Sequence, residues 1–214
     1  MTGLFITVEG GEGAGKSTAL THLERLLEQH EAIVVCTREP GGTQLGEGLR
    51  ALLLSDQYGD VMPLSELLMM FAARAQHLHE VIGPALDRGE TVLCDRFTDA
   101  SFAYQGAGRG LGEKPVAMLE TLTQGALRPD LVILLDLPPE QGIERARGRG
   151  GLDRFEREEL EFFERVRSAY LSRAQSEPDR YRIVDASVDK DAVCEQLSQC
   201  ILDFYRTRRA RVRG

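Results

Sequence analysis

The stretch that most constrains this chain lies near its start, where residues 10–17 read G-x-x-x-x-G-K-S. The residues before it, Leu4–Val8, are apolar and partly β-branched, which is typical of a buried strand. After it, leucines at positions 20, 23 and 27 follow the spacing of one helix face. A strand before and a helix after are the context in which this motif binds phosphate. The sequence therefore predicts a phosphate-binding loop between the first strand and the first helix.

The chemistry of this loop, called the P-loop from here on, follows from its composition. Its glycines let the backbone curl so that successive N–H groups point at one anion, and the following helix adds the positive end of its dipole. We expect Lys16 to reach the β- and γ-phosphates of a nucleotide, and the Ser17 hydroxyl to ligate Mg²⁺. The predicted nucleotide-binding residues are Gly10, Gly11, Glu12, Gly13, Ala14, Gly15, Lys16, Ser17 and Thr18.

The overall charge argues against a general nucleic-acid-binding surface, since the 214 residues carry a formal net charge of -8 at pH 7. The last nine residues, 206–214, differ because they hold five arginines and no acidic residue. We expect this basic tail to be a solvated, frayed terminus, with contact to RNA or to an acidic partner as the alternative. No apolar run approaches the roughly 20 residues that a membrane-spanning helix needs.

The cysteines indicate a reduced, cytoplasmic protein without a zinc site. All four, at positions 36, 94, 194 and 200, lie outside any C-x-x-C spacing. Cys36 and Cys94 fall in apolar, strand-like runs, so we expect both in the core. The first strand follows Met1 so closely that no signal peptide is expected. The histidines form no ligand or triad pattern and are interpreted as surface or helix residues: His22, His30, His77 and His79.

Strands alternate with helices along the whole chain, which predicts one α/β domain over residues 1–214. Five strands are expected, at residues 4–8, 32–37, 91–94, 131–136 and 181–184. Helices are expected after the P-loop, at residues 44–54, 63–82, 101–105, 114–127, 156–175 and 189–205, and for a short stretch after Pro138. We expect Pro84 to end or kink the long third helix, and residues 106–112 to form a glycine-rich loop. These elements predict a P-loop NTPase fold, a doubly wound five-stranded parallel sheet flanked by helices, with a short lid at residues 147–154.

Charged side chains follow several predicted strands, at the edge where a parallel sheet binds its ligands. Arg38 follows the second strand, Asp95 and Arg96 follow the third, and Asp136 ends the fourth. Arginine forks match phosphate geometry, so Arg38, Arg96 and the helical Arg74 suggest a second phosphorylated ligand that faces the first. Asp95 is the preferred Mg²⁺ carboxylate because it adjoins Arg96. Asp136 could serve there instead, or it could cap the helix that follows.

A further group of residues could form a nucleobase pocket. Phe71 and Arg74 lie three residues apart, on one helix face. Ser101, Tyr104 and Gln105 are spaced to share another face. Gln105 can present both a donor and an acceptor to a pyrimidine edge. For Phe71, core packing is as good an interpretation as stacking on a base.

Taken together, these motifs make the chain similar to bacterial thymidylate kinases along essentially its whole length. The matching segments are Glu9–Thr18, Thr37–Thr43, Phe71–Arg74, Asp95–Phe97, Ala103–Gly106, Gly151–Glu156 and Val184–Ser187. The resemblance implies transfer of the γ-phosphoryl group of ATP to dTMP, with Mg²⁺, giving ADP and dTDP in the synthesis of dTTP. It also implies a homodimer.

The resemblance assigns roles to single residues on the acceptor side. Arg38 and Arg96 would hold the phosphate of dTMP, and Tyr104 would crowd the ribose 2′ position and so favour deoxyribose. The other residues expected to contact the substrate are Glu9, Glu39, Arg50, Asp95 and Ser101.

The base itself would be recognised by the helix that carries Arg74. Arg74 and Gln105 would bond the edge of thymine, and Phe71 would stack on its face. In many relatives the stacking phenylalanine lies four residues before the arginine, a position that is Met70 in this chain. Which of Met70 and Phe71 stacks is therefore left open.

The acidic P-loop makes the lid important for catalysis. The loop carries Glu12 and no arginine, so it offers one cation, Lys16, against two phosphorylated ligands. The resemblance agrees, because thymidylate kinases with an acidic P-loop residue place basic residues in the lid. Arg154 ranks below the other lid arginines, because it follows Asp153 and can pair locally. The expected catalytic set is Glu12, Lys16, Arg96, Arg147 and Arg149.

Two alternative functions stay open at this point. One is a P-loop kinase for another small acceptor, such as a different nucleoside monophosphate or a deoxynucleoside. The other is a nucleotide-dependent switch that binds partners and hydrolyses nucleotide slowly. The chain has no N-K-x-D guanine-reading motif, and the two arginine-bearing loops would have no role in a switch.

Overall fold

The structure is a computed structural model that describes residues 3–30, 32–148, 154–156 and 158–213, with the backbone alone for residues 209–213. Within these residues, five parallel strands form one sheet. The strands are β1 Phe5–Gly10, β2 Val34–Arg38, β3 Thr91–Asp95, β4 Leu131–Asp136 and β5 Tyr181–Asp185. Their order across the sheet is β2-β3-β1-β4-β5. The prediction of a five-stranded parallel sheet in an α/β fold is confirmed.

Burial decreases from the centre of the sheet to its edges. Every residue of β1 is buried, and β3 and β4 beside it are buried in all but their last residue. β2 lies at one edge and is only partly covered. The expectation that Cys36 lies in the core was therefore wrong, because Cys36 is exposed on β2 while Cys94 on β3 is buried.

The register brings three loops together at the carboxyl ends of the strands. Val8 of β1 and Arg38 of β2 both stand opposite Asp95 of β3. Beyond the strands, the Glu39 N–H donates to the Asp95 carbonyl at 2.9 Å, and the Arg96 N–H donates to the Val8 carbonyl at 3.0 Å. The P-loop, the residues after β2 and the Asp95-Arg96 pair therefore lie side by side, as the alternation of elements predicted.

Helices cover both faces of the sheet, since alternate residues of β4 belong to different core clusters. Leu131, Ile133 and Leu135 pack with the helices that begin at residues 16 and 190, whereas Val132 and Leu134 pack with the helix that begins at residue 160. The α-helices are α1 Lys16–Gln29, α2 Gln44–Leu54, α3 Pro63–His77, α4 Gly83–Asp87, α5 Thr98–Ser101, α6 Glu113–Gln124, α7 Pro139–Arg147, α8 Leu160–Ser176 and α9 Lys190–Arg213.

The observed helices differ from the predicted ones at two π-helical turns. The turn Leu78–Ile82 joins α3 to α4, so the helix does not end at Pro84. Pro84 lies near the start of α4, two residues after the last residue of this π-helical turn. The turn Phe102–Gly108 extends α5 through part of the expected glycine loop. A Cβ at Gly108 would lie 2.6 Å from the Phe162 ring, so glycine here permits the close approach of α8.

The basic tail also differs from expectation, because α9 continues as a helix to Arg213 where a frayed end was predicted after residue 205. Ion pairs tie its first arginines to acidic residues, Arg206 to Asp203 at 3.3 Å and Arg208 to Asp130 at 3.8 Å. Arginine is also a good helix former. Across the described part of the chain, no helix combines the length and apolar character needed to cross a membrane.

Candidate active site

A cleft of about 320 Å³ opens at the carboxyl edge of the sheet, between the P-loop, the end of β2, and the helices α3 and α5. It collects most of the residues that the sequence singled out. Its wall includes Glu12, Gly13, Ala14, Gly15, Lys16, Ser17, Thr18, Arg38, Glu39, Arg50, Arg74, Asp95, Arg96, Ser101, Tyr104 and Gln105. Met70, Phe97, Phe155 and Glu156 complete it, with Pro40, Leu54 and Ala100.

The P-loop wraps around its own lysine. Lys16 Nζ donates to the carbonyls of Gly10 at 3.2 Å and Gly11 at 2.9 Å. Burial, with Arg96 nearby, lowers the pKa of Lys16 from its ordinary value. Gly13 has a φ of +68°, and a Cβ there would lie 2.2 Å from the Gly142 carbonyl oxygen. A side chain at Gly13 is therefore excluded by both conformation and space.

Glu12 and Arg96 form an ion pair on the cleft wall. Arg96 Nη2 donates to Glu12 Oε1 at 2.6 Å, and the Tyr104 hydroxyl donates to the same oxygen at 2.9 Å. Burial alone would raise the pKa of Glu12, but Arg96 and Lys16 outweigh it and lower the pKa to about 2. The Arg96 guanidinium also lies over the Tyr104 ring, 4.7 Å from its centre. Arg96 itself has a φ of +66°, in the left-handed region.

The fork of Arg74 is buried and only partly bonded. Its Nε donates to Glu39 Oε2 at 2.7 Å, and Nη2 donates to Ser101 Oγ at 3.1 Å. Nη1 is buried and has no hydrogen-bond partner among the described residues. A buried donor without a partner is costly, so this nitrogen is suited to an acceptor on a ligand.

The ring of Phe71 lies below this fork and away from the cleft. It is 2% exposed, belongs to a core cluster, and lies 4.4 Å from the Arg74 guanidinium carbon. The side chain of this helix that faces the cleft beside Arg74 is Met70. Of the two interpretations of Phe71, the geometry fits core packing.

Glu9 lies beneath the cleft and outside its wall. It is fully buried, with Oε1 accepting from the Phe97 N–H at 2.7 Å and Oε2 from the Tyr170 hydroxyl at 2.8 Å. Burial and the charge of Asp99 raise the pKa of Glu9 to about 8, against the opposing effects of Tyr170, Phe97 and Arg96. The expected contact of Glu9 with a substrate has no counterpart in this arrangement.

Two strand-end carboxylates were candidates for a metal site, and their surroundings differ. Asp95 Oδ1 is buried without a hydrogen-bond partner in the described part of the chain, and Asp95 lines the cleft together with Ser17. Asp136 is held by Arg167 through two bonds of 2.7 and 2.9 Å, and the N-cap position of the helix after it is Pro138, with no side-chain cap bond. Of the alternatives left open for Asp136, the structure does not support helix capping, because the carboxylate bonds to Arg167 and makes no cap bond to the helix.

The donor set at Asp95 and Ser17 fits Mg²⁺ bound chiefly by phosphates. No group of three His, Cys, Asp or Glu side chains that could hold a metal occurs within the described residues. Mg²⁺ is usually bound through one or two carboxylates together with substrate phosphates and water. One free carboxylate oxygen and a hydroxyl beside a P-loop meet that requirement.

Comparisons with known proteins identify the family of this chain. A family model described as thymidylate kinase matches residues 8–197. The chain belongs to the thymidylate kinase family. It is similar to the thymidylate kinase of Pseudomonas syringae pv. tomato, at 56% identity over 209 residues that cover 96% of this chain and 100% of that protein. That of Alkalilimnicola ehrlichii is 55% identical over 200 residues, covering 93% of this chain and 92% of that protein. The solved thymidylate kinase from Ehrlichia chaffeensis has a TM-score of 0.77 at 32% identity, covering 94% of this chain and 99% of that chain.

In this member of the thymidylate kinase family, two arginines that line the cleft donate hydrogen bonds to other residues of the protein. Arg38 Nη2 donates to Glu47 Oε2 at 2.9 Å, and the Arg38 side chain is 52% exposed. Arg50 Nη1 donates to the Pro40 carbonyl at 3.1 Å. Arg147 lies exposed at the end of α7 and not on the cleft wall. Arg149 and most of the expected lid, residues 149–153, lie outside the described residues.

His77 and Glu66 are site residues that the sequence analysis missed. His77 is on a helix, as expected, but it is fully buried, with Nδ1 3.0 Å from Glu39 Oε1 and Nε2 2.6 Å from Thr37 Oγ1. It therefore supports the carboxylate that holds Arg74. Glu66 is also fully buried and binds the Gln105 amide. A charged residue within an apolar helix face was the pattern that could have revealed Glu66.

Arg154, the last residue of the expected lid, bonds to two other segments of the chain. Its Nε donates to the Leu53 carbonyl at 2.8 Å, and its Nη2 donates to Glu66 Oε2 at 2.6 Å. Asp153, the local partner that the sequence suggested, is outside the described residues. These bonds anchor the chain where it leaves the expected lid.

Proposed function

We propose that this chain catalyses transfer of the γ-phosphoryl group of ATP to dTMP, giving ADP and dTDP for the synthesis of dTTP. The observation that carries the proposal is one cleft in which a P-loop faces a buried, partly bonded arginine fork and a glutamine amide. A P-loop accounts for the donor nucleotide, and the fork and amide suit a planar base with polar edges.

On the donor side, ATP would lie along residues 10–18, with Lys16 at its β- and γ-phosphates. Ser17 and Asp95 would hold Mg²⁺, which neutralises charge on the β- and γ-phosphate oxygens when bound. Support for this assignment comes from the free buried oxygen of Asp95 beside the P-loop.

On the acceptor side, Arg38 and Arg96 would hold the dTMP phosphate, since both line the cleft near the P-loop. Arg74 Nη1 would donate to the base edge, and Gln105 would complete that edge. Met70 would support the face of the base, while Phe71 would act indirectly by packing under Arg74. Tyr104 would limit space at the ribose 2′ position. Glu39, Arg50 and Ser101 would complete the acceptor side.

The reaction needs no general base from the protein. A phosphate monoester has a second pKa of about 6, so the acceptor is mostly a dianion at pH 7 and already a nucleophile. One acceptor oxygen bonds to the γ-phosphorus as the bond from that phosphorus to the β–γ bridging oxygen breaks, and ADP leaves with the electron pair. Catalysis then consists of alignment and cancellation of charge, by Lys16, Arg96 and an arginine from the lid, Arg147 or Arg149. Glu12 would keep Arg96 in place through their ion pair.

The assembly would be a homodimer through a face formed by α2, α3 and α6, in which α3 packs against both α2 and α6. Large apolar side chains on these helices are exposed, and such patches mark interfaces. They are Leu45, Leu52, Leu64, Leu68, Met118 and Leu122. We place the protein in the cytoplasm, consistent with four free cysteines, and without nucleic acid or membrane as partners.

The test is ADP release with ATP and each of dTMP, dUMP, UMP, CMP, AMP and GMP. We expect the highest kcat/KM for dTMP and very poor use of purine monophosphates, because a buried polar edge left unpaired costs about 1–3 kcal/mol. Equal kcat/KM for dTMP and AMP would contradict the proposal. Slow ATP hydrolysis that none of the acceptors accelerates would also contradict it. Arg74→Lys keeps a charge for Glu39 but loses the fork, so it should raise KM for dTMP. The matched control Arg128→Lys, in a pair with Glu120 away from the cleft, should not.

A further inference from the structure

Glu66 lies on α3 without solvent exposure, and its two oxygens accept bonds from three residues on two other segments of the chain. Oε1 accepts from Gln105 Nε2 at 2.8 Å. Oε2 accepts from Arg154 Nη2 at 2.6 Å, and Arg109 Nε lies 3.2 Å from Oε2 and 3.3 Å from Oε1. Two guanidinium groups thus hold this carboxylate, so it cannot turn away from the Gln105 amide.

The chemistry of a carboxylate decides which end of that amide it contacts. Carboxylate oxygens only accept hydrogen bonds, whereas an amide has a donating NH₂ group and an accepting carbonyl. The reverse orientation of Gln105 would bring two acceptor oxygens together in a buried place, which is unfavourable. Gln105 therefore directs Nε2 to Glu66, and its carbonyl Oε1 is the end left for the cleft that Gln105 lines.

Arg74 supplies the complementary group on the same cleft wall. A guanidinium only donates, and its buried Nη1 has no partner within the described residues. The cleft thus offers one donor and one acceptor to the edge of a base. Thymine and uracil match this pair, with a C4 carbonyl that accepts and an N3–H that donates. Cytosine reverses both groups, with a C4 amino group that donates and a ring nitrogen that accepts.

We propose that Glu66 is a positioning residue that makes the acceptor site select thymine and uracil over cytosine, by fixing the direction of the Gln105 amide. The inference rests on the proposed function, in that the base of the acceptor occupies this cleft. Glu66 touches no substrate itself. Its effect is on which base is accepted and not on the phosphoryl transfer.

The experiment compares dTMP with dCMP in the wild type and in Glu66→Gln. An amide at position 66 can donate or accept, so Gln105 becomes free to present its NH₂ group to the cleft. The first readout is the dissociation constant of dCMP divided by that of dTMP, measured by calorimetry without ATP. We expect this ratio to be at least about tenfold lower in Glu66→Gln than in the wild type. The kcat/KM for dTMP divided by that for dCMP should fall in parallel. The control Glu120→Gln removes a largely buried, arginine-paired carboxylate of α6 and should keep the wild-type ratios.

A double variant keeps the test decisive if Glu66→Gln does not fold. Glu66→Gln with Gln105→Glu retains one negative charge beside Arg109 and Arg154, and a carboxylate at position 105 again presents an acceptor to the cleft. We expect this exchange to restore the preference for dTMP. An unchanged ratio in the folded single variant, or loss of preference in the double variant, overturns the role of Glu66 and leaves the proposed function standing. A wild type that binds neither nucleotide refutes the proposed function, and this inference with it.

Discussion

Glu9 gives the stability of this protein a pH dependence that a single substitution can isolate. Burial and Asp99 raise the pKa of Glu9 from 4.5 to about 8, so the folded protein keeps a proton there that the unfolded chain has lost. For an acid with a raised pKa in the folded state, stability is lost as pH rises through the window between the two values. One proton contributes about 1.4 kcal/mol per pH unit, so the free energy of unfolding should lose about 3–4 kcal/mol between pH 5 and pH 8.

The assay is denaturant unfolding of the wild type and of Glu9→Gln at pH 5, 6, 7 and 8. The amide is similar in shape but does not titrate, and all other groups titrate in both proteins. The difference in unfolding free energy, wild type minus variant, should therefore fall with pH by about the amount above. A difference that stays constant across these pH values would mean that Glu9 is already ionised at pH 5, and would refute the reasoning.

Three further outcomes test the proposed reaction and assembly. Lys16→Ala should fold normally and lose about 10²–10³ in kcat, as for removal of one preorganised donor, and near-normal turnover would exclude the P-loop assignment. Of Arg147→Ala and Arg149→Ala, at least one should lose about 10³–10⁵ in kcat. If both variants keep kcat within a few-fold of the wild type, the lid only covers the bound nucleotide, and another group cancels the charge on the transferred phosphoryl. Leu68→Glu places a charge on the exposed apolar face and should give a monomer by light scattering, and a dimer that persists would assign the interface to another surface.

The sheet could be predicted because its strands are short apolar runs that end in turn residues. Strands such as Leu131–Asp136 are buried on both faces and read as continuous apolar sequence. The π-helical turns could not be predicted, because residues such as Phe102 and Tyr104 have no local preference for them. Such turns follow from how a helix packs, here where Gly108 meets the ring of Phe162. Cys36 was misplaced because apolar sequence does not distinguish an edge strand from a central one.

For the site, the sequence was informative about residues at strand ends and less so about residues on helices. Arg96 and Asp95 follow a buried strand, and topology alone brings them to the P-loop. His77 and Glu66 depend on partners 38 and 39 residues away, which no spacing rule contains. Phe71 shows the limit of helical spacing, since adjacent side chains point about 100° apart and small rotations decide which one reaches the cleft.

Arg96 has a left-handed backbone conformation, and its side chain bonds to Glu12 of the P-loop. This conformation costs a side chain about 1–2 kcal/mol, and it accompanies the ion pair through which Arg96, together with Lys16, lowers the pKa of Glu12 to about 2. If Arg96 also holds the acceptor phosphate, as proposed, one guanidinium serves both a ligand and the glycine loop that binds the other ligand. Donor and acceptor affinities are then thermodynamically coupled. Such coupling is reciprocal: by whatever factor bound acceptor changes the affinity for ATP, bound ATP changes the affinity for the acceptor.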